Sequence, residues 1–275
     1  MSVFLNGRYL QEAEAVLHAS DLSMQRGYAI FDFCRSVNGR VLFLDDYLDR
    51  FFASASAMFL PVRQSREELK AIVLQLVQQS AAPECGIRLF LSGGYSPDSY
   101  HPTEPNLLIT CKPLKPAPFH FEKGINIRSY RHQRELPQIK TINYLTAVWL
   151  QPWLQETGAD DVLYFNDQSV TEFPRSNVFA FTREGKLVTP VRDILRGITR
   201  KQVLALAGEW IEVEERDLPL QELASAQEIF ASATTRKLLP VVSIDGKMIG
   251  EGHPGPLTKK LFHQFLELER KMAAH

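Results

Sequence analysis

Leu136-Pro137-Gln138-Ile139-Lys140-Thr141-Ile142-Asn143-Tyr144-Leu145 places a lysine among apolar residues, four positions ahead of a tyrosine, where an extended run gives way to a helical pattern. Charged side chains are almost never fully buried unless something holds them. A free lysine titrates near ~10.4, so keeping one neutral at pH 7 costs about 4.6 kcal/mol. A protein supplies that free energy by desolvation, or the amine condenses with an aldehyde and loses its charge covalently. The stretch therefore has two readings: a Schiff-base lysine, or a surface lysine at a helix start. The rest of the chain decides between them.

On the C-terminal side the pattern is helical from Thr141 to about Glu156. Val162–Phe165 and Val170–Phe173 then read as a hairpin around Asn166-Asp167, and Val178–Phe181 with Lys186–Thr189 as another. A helix over Ile198–Glu209 is followed by short strands at Glu212–Glu214, Ile229–Ala231 and Val241–Ile244. Leu257, Leu261, Phe265, Leu268 and Met272 give a C-terminal helix one apolar face. On the N-terminal side, Ile125–Ser129 is a strand, and Pro113, Lys115, Pro116 and Pro118 mark a linker over residues 113–120.

Before that linker, Asn6-Gly7 turns a hairpin between Val3–Leu5 and Arg8–Leu10. Tyr28–Val37 pairs with Arg40–Leu44 across Asn38-Gly39. Asp45 caps a helix reaching about Phe59, and Ser65-Arg66-Glu67-Glu68 is a capping box for the next. Strands at Ile87–Leu91 and Leu107–Cys111 enclose a Gly/Pro/Ser-rich loop from Gly93 to Pro105. Hairpins mixed with separate helices predict an α+β fold, with one domain over residues 1–112 and a second over 121–275.

The 275 residues are 45% hydrophobic and 23% charged, with a formal net charge of −1, an ordinary globular balance. So neutral a chain offers no electrostatic footprint for nucleic acid or an anionic membrane. No apolar run approaches the roughly 18 residues of a spanning helix, and the N-terminus lacks a basic region followed by a long apolar core. Cys34, Cys85 and Cys111 are an odd number without paired or metal-type spacing, which fits a reducing, cytoplasmic setting.

Several stretches suit one anion. Leu195-Arg196-Gly197-Ile198-Thr199-Arg200 opens a helix, where free N–H groups and the positive end of the dipole bind phosphate, or where an ordinary cap sits. Ser232-Ala233-Thr234-Thr235 is a hydroxyl-rich turn of the same kind, or a plain polar one. Arg50, among Phe51, Phe52 and Ala53, either snorkels to solvent or pairs with a buried anion. Glu172 lies beside Val170 and Phe173, and a buried carboxylate needs a cation: a protonated heterocyclic nitrogen, or an arginine such as Arg175.

Taken together and in chain order, this set resembles the class IV (fold type IV) pyridoxal-phosphate aminotransferases, which include D-amino-acid aminotransferase, branched-chain aminotransferase and aminodeoxychorismate lyase. The matching segments are Arg26–Asp32, Asp46–Arg50, Lys140–Leu145, Thr171-Glu172 through Phe179, Gly197–Arg200, and Glu228–Phe230 through Thr234 to Val241. The resemblance implies a small α/β N-terminal domain, a larger C-terminal pseudo-barrel, and pyridoxal 5'-phosphate in the cleft between them. It implies that Lys140 forms the Schiff base and then moves the substrate α-proton. Glu172 would face the ring nitrogen, Tyr144 the phenolic oxygen, and Arg50, Ile198, Thr199 and Thr234 the phosphate. Asn177 would brace the loop beneath the ring.

The departures bear on substrate. Tyr47 stands where the family commonly has histidine, and Tyr28–Asp32 lacks the usual glycines. The arginine with which the D-amino-acid enzymes grip the α-carboxylate aligns with Gly93, whereas Arg88 aligns with an arginine of the branched-chain enzymes. Arg26, Arg88 and Lys237 are expected to hold the α-carboxylate, with Tyr28 and Thr235 beside them, while Arg236 is expected to pair with a carboxylate. The expected reaction is ping-pong transfer of an amino group from a small amino acid, of D configuration, to a 2-oxo acid such as 2-oxoglutarate or pyruvate, in a homodimer. Branched-chain L-amino-acid transamination, aminodeoxychorismate lysis and a degenerate cofactor-binding protein are the alternatives.

Overall fold

A computed structural model describes residues 2–114, 121–167 and 169–274. Most of the expected linker, including Lys115, Pro116 and Pro118, lies outside the described residues. The chain divides into two compact units: Met1–Pro116 with Ile139–Asn143 and Lys271–His275, and Ala117–Gln138 with Tyr144–Arg270. No helix among the described residues is long and apolar enough to cross a membrane.

The first unit runs β1 (Ser2–Leu5), β2 (Arg8–Gln11), α1 (Leu22–Arg26), β3 (Ala29–Val37), β4 (Arg40–Val41), α2 (Leu44–Ala57), α3 (Arg66–Ser80), β5 (Glu84–Ser92) and β6 (Leu107–Pro113). Its strands form an antiparallel sheet in the order β2-β1-β6-β5-β3-β4. Asn6 and Gly7 both take positive φ (48° and 87°), which matches the twist of β1 and β2 and makes the predicted hairpin. The Ser65–Glu68 capping box opens α3 as expected. The residues expected to form the second return strand yield only two paired positions, because Phe43 turns left-handed (φ 54°) and α2 begins at Leu44. Asp45 is therefore inside the first turn and not its cap; Arg66 and Lys70 hold its carboxylate. Asp21, fully buried, caps α1 and also accepts from Ser23 Oγ, Ser92 Oγ and Asn106 Nδ2 at 2.6–2.7 Å, fixing α1 to the ends of β5 and β6.

The second unit runs β7 (Ile125–Arg131), α4 (Leu145–Trp149), α5 (Gln151–Thr157), β8 (Asp161–Phe165), β9 (Glu172–Phe173), β10 (Ser176–Phe181), β11 (Lys186–Thr189), α6 (Ile198–Gly208), β12 (Glu212–Glu215), α7 (Leu220–Ala224), β13 (Glu228–Ala233), β14 (Lys237–Ile244), β15 (Lys247–Met248) and α8 (Pro256–Ala274). A mixed sheet in the order β12-β11-β10-β13-β14-β7-β8 carries β15 on β14 and β9 on β10. One side packs α6 and α8 on Phe179, Phe181 and Phe230; the other is lined by Val178, Ala180, Ile229 and Val241. Glu228, buried, accepts the N–H groups of Leu257 and Thr258 and caps α8 from the sheet.

Three expectations change here. The helix expected from Thr141 starts at Leu145 and breaks at Leu150, because Thr141 and Ile142 spend their backbone on β3 and Pro152 lacks an N–H to continue the ladder. The run Val170–Phe173 makes one bridge to Phe165, then leaves β8 to pair with β10. The buried face of α8 is Thr258, Leu261, Phe262, Phe265 and Glu269, while Leu257, Leu268 and Met272 are half-buried. The α+β class is as expected.

Candidate active site

In the first unit the lysine segment is sewn onto the start of β3. The Phe31 N–H donates to the Lys140 carbonyl at 2.9 Å, Ile142 N–H donates to the Ala29 carbonyl at 3.2 Å, and Thr141 bridges Ile30. With its own carbonyl and the N–H of Ile142 bonded to β3, the Lys140 backbone is held and its side chain is the freedom that remains. That side chain is half-buried, and its Nζ lies 4.7 Å from the centre of the Phe31 ring. Arg88 Cζ lies 5.3 Å from the same centre, so one aromatic ring carries both the lysine and a guanidinium. Arg88 reaches Phe31 on the diagonal, because its register partner on β3 is Phe33.

Asp32 points to the opposite face, is fully buried, and takes Arg50 in a fork: Nε to Oδ2 at 2.9 Å and Nη2 to Oδ1 at 2.7 Å. Of the two outcomes left open for Arg50, the buried anion is the one observed, and here it is a carboxylate of β3. Tyr28 donates its hydroxyl to the Met58 carbonyl at 2.6 Å. Arg26 ends α1, exposed, donating to the Gln25 carbonyl. Gly93 explains its own lack of a side chain: a Cβ there would meet Tyr28 at 2.8 Å and Leu22 at 2.9 Å.

The second unit holds the other half of the set. Glu172, 4% exposed at the start of β9, accepts from Arg134 Nη1 and from the Leu195 N–H at 3.0 Å. The protein cation beside Glu172 is thus Arg134, where the sequence suggested Arg175. Asn177, opposite Glu172 in the β9–β10 register, donates Nδ2 to the Leu195 carbonyl at 2.7 Å. Leu195 is pinned at both ends, and with it the approach to α6. Gly197 occupies the N-cap without a side-chain cap, since a Cβ there would lie 2.2 Å from Asn177 Oδ1. No acidic residue stands in the first turn, so the positive end of the α6 dipole, at Ile198 and Thr199, meets no carboxylate of its own helix.

Ser232 is level with Asn177 across β10–β13, on the face where Phe179 stacks on Phe230 and α6 packs. Its hydroxyl is buried without a hydrogen-bond partner. An orphaned donor beside an uncapped helix start, with no room for a glycine side chain, fits a phosphate group, and these are the residues that would receive one. Tyr164, 2% exposed, has its pKa pushed up to about 12, first by burial and then by Asp161; Glu172 and Tyr144 add to the rise and Arg134 opposes it. Tyr144, half-buried at the N-cap of α4, is thus near enough to Tyr164 to raise its pKa. After the Thr234–Arg236 turn, Arg236 pairs with Asp161 as expected, and Lys237 is engaged by Glu269 at 3.2 Å. Thr235 is exposed and Thr234 half-buried.

Sequence reasoning missed Arg134, Phe31 and Tyr164. Arg134 lies 38 residues from Glu172, so no local spacing signals the pair. Phe31 had one available signal, a large aromatic at an alternating position of β3 opposite Phe90.

The chain resembles known proteins over nearly its whole length. The amino-transferase class IV model matches residues 29–244. D-Alanine aminotransferase of Bacillus licheniformis is 31% identical over 267 residues, 95% of this chain and 94% of that one. The branched-chain amino acid aminotransferase of Escherichia coli superposes with a TM-score of 0.91 at 25% identity, over 97% of this chain and 94% of that one. That of Thermoproteus uzoniensis superposes with a TM-score of 0.88 at 26% identity, over 98% and 94%. Residues 29–244 include Lys140, Glu172 and the start of α6, and class IV aminotransferases work with pyridoxal phosphate. On sequence and fold alike, this chain belongs to the class IV aminotransferase family.

Proposed function

We propose that the protein is a transaminase for small amino acids of D configuration, with a 2-oxo acid such as 2-oxoglutarate or pyruvate as acceptor. The observation that carries the reading is the Phe31 ring, which both the Arg88 guanidinium and the Lys140 amine approach, at 5.3 and 4.7 Å from its centre. A transaminase needs a fork for the α-carboxylate close to the base that moves the α-proton. Arg88 would supply the fork, and the Lys140 amine would supply the base that moves the α-proton. Bound pyridoxal phosphate supplies the electron sink for the α-carbon. Glu172, paired with Arg134, would hold a proton on the ring nitrogen, and Tyr144 would donate to the phenolic oxygen. Ile198, Thr199 and Thr234 would take the phosphate, with Arg50 as a further phosphate ligand. The likeness to D-alanine aminotransferase supports the D assignment.

The protein works as a homodimer in a reducing cytoplasm, with Arg26, exposed on its own chain, or the Gly93–Pro105 loop serving the partner's site, and with Lys237 and Thr235 at the rim. Branched-chain L-amino acids are the second reading, favoured by the likeness to the Escherichia coli enzyme. A half-reaction separates the two. The holoprotein is mixed separately with D-glutamate, D-alanine, L-leucine and L-glutamate, and the absorbance band of the lysine-bound cofactor is followed. Loss of the band with the D-amino acids alone is expected. Loss with the L set alone would move the protein to the branched-chain group.

A further inference from the structure

Tyr164, on β8, is 2% exposed. Its side chain belongs to the cluster of Leu150, Leu154 and Val162, and its ring meets that of His132 edge-on, 4.7 Å between centres. A phenylalanine would fill that space as well, so packing accounts for the ring and not for its oxygen. A buried tyrosine hydroxyl normally finds a hydrogen-bond partner, and one left without costs stability. Among the described residues this one has none. The backbone fixes where it stands. Thr171 donates both its N–H and its Oγ1 to the Tyr164 carbonyl, at 2.9 and 3.2 Å, so Tyr164 is tied to the residue before Glu172. Leu150, in the same cluster, ends the helix whose N-cap is Tyr144. Glu172 and Tyr144 both act electrostatically on the hydroxyl. The two carboxylates that act on it are engaged elsewhere: Asp161 by Arg236 and the Val162 N–H, Glu172 by Arg134 and the Leu195 N–H. Burial and these carboxylates keep the phenol protonated, which makes it a donor in want of an acceptor.

We propose that Tyr164 is a further cofactor-binding residue, its hydroxyl a second donor, beside Tyr144, to the phenolic oxygen of bound pyridoxal phosphate. The inference rests on the reading above that sets Glu172 at the ring nitrogen and Tyr144 at the phenolic oxygen. On the pyridine ring those two positions are separated by a single carbon, which carries a methyl group. A donor close to both residues meets that edge of the ring. The nitrogen, holding its proton, cannot accept, and the methyl group cannot either. The phenolic oxygen is the acceptor that remains.

The experiment compares Tyr164→Phe and, separately, Tyr144→Phe with wild type. The negative phenolic oxygen holds a proton on the Lys140 nitrogen joined to the cofactor, and each donor to that oxygen weakens its hold. Removing a donor therefore raises the pH at which the absorbance band of the lysine-bound cofactor changes. In the holoprotein, Tyr164→Phe should raise that midpoint by about one unit. In the apoprotein it should weaken pyridoxal-phosphate binding about tenfold, read by fluorescence titration. Because the fold gives the hydroxyl no partner among the described residues, the Tyr164→Phe apoprotein should melt no lower than wild type. A lower melting temperature would place the hydroxyl in a bond of the fold and overturn the proposal, as would an unchanged midpoint and affinity. A midpoint raised by Tyr144→Phe alone would overturn the role of Tyr164 and leave Tyr144 in place. A midpoint raised by neither variant would remove both.

Discussion

Removing the Arg134 guanidinium takes the neighbouring cation from the buried Glu172 carboxylate, to which the Leu195 N–H still donates. The two side chains are only 13% and 5% exposed, so solvent cannot replace the lost cation. Breaking a pair in such a place costs about 3–5 kcal/mol. Protonation sets a ceiling on that loss: neutralising a glutamate of the ordinary value, ~4.3, costs about 3.7 kcal/mol at pH 7 and about 1 kcal/mol at pH 5. Arg134→Leu should therefore destabilise the cofactor-free protein by about 3 to 3.7 kcal/mol at pH 7 and by no more than about 1 kcal/mol at pH 5. Adding Glu172→Gln keeps an acceptor for the Leu195 N–H and removes the stranded charge, so the double variant should recover at least half of the pH 7 loss. Urea denaturation followed by circular dichroism at both pH values measures the whole cycle. A single variant within 0.5 kcal/mol of wild type at pH 7, or an equal loss at both pH values, would refute the pairing as the source of Glu172's charge.

Three further outcomes follow from the same geometry. Arg88→Leu should raise the Michaelis constant of the amino donor about tenfold or more with kcat little changed, measured by steady-state kinetics; unchanged kinetics would remove Arg88 from the carboxylate fork. Gly197→Ala drives a Cβ into Asn177 Oδ1 and should weaken pyridoxal-phosphate binding by about tenfold or more, read by fluorescence titration of the apoprotein. His132 has its pKa lowered by burial first and by Arg134 second. The unfolded chain then holds the extra proton as pH drops below ~6.5, so unfolding free energy should fall through that window, and His132→Gln should flatten the fall.

How much was legible depended on how local each cause was. Asn6-Gly7 and Ser65–Glu68 carry their structure in adjacent residues, and both formed as read. The run after Lys140 reads as helix because its pattern is helical, yet two bonds with β3, Phe31 N–H to the Lys140 carbonyl and Ile142 N–H to the Ala29 carbonyl, hold it extended. That competition is tertiary, and no window of sequence contains it. The site divides the same way. Gly197-Ile198-Thr199 announces an open helix start, whereas the reason for its glycine, Asn177 twenty residues earlier, appears only when β10 is in place. Glu172 is legible as a buried carboxylate in need of a cation, and its protein partner is not. Asp45 stands where a cap was expected, but Phe43 turned the chain two residues sooner.

Borohydride reduction tests the central claim most directly. The protein is saturated with pyridoxal phosphate, reduced, digested and mapped by mass spectrometry. A single stable phosphopyridoxyl label on Lys140, absent from Lys140→Ala, is the result the account predicts. A label on another lysine, or the same labelling in Lys140→Ala, would contradict it.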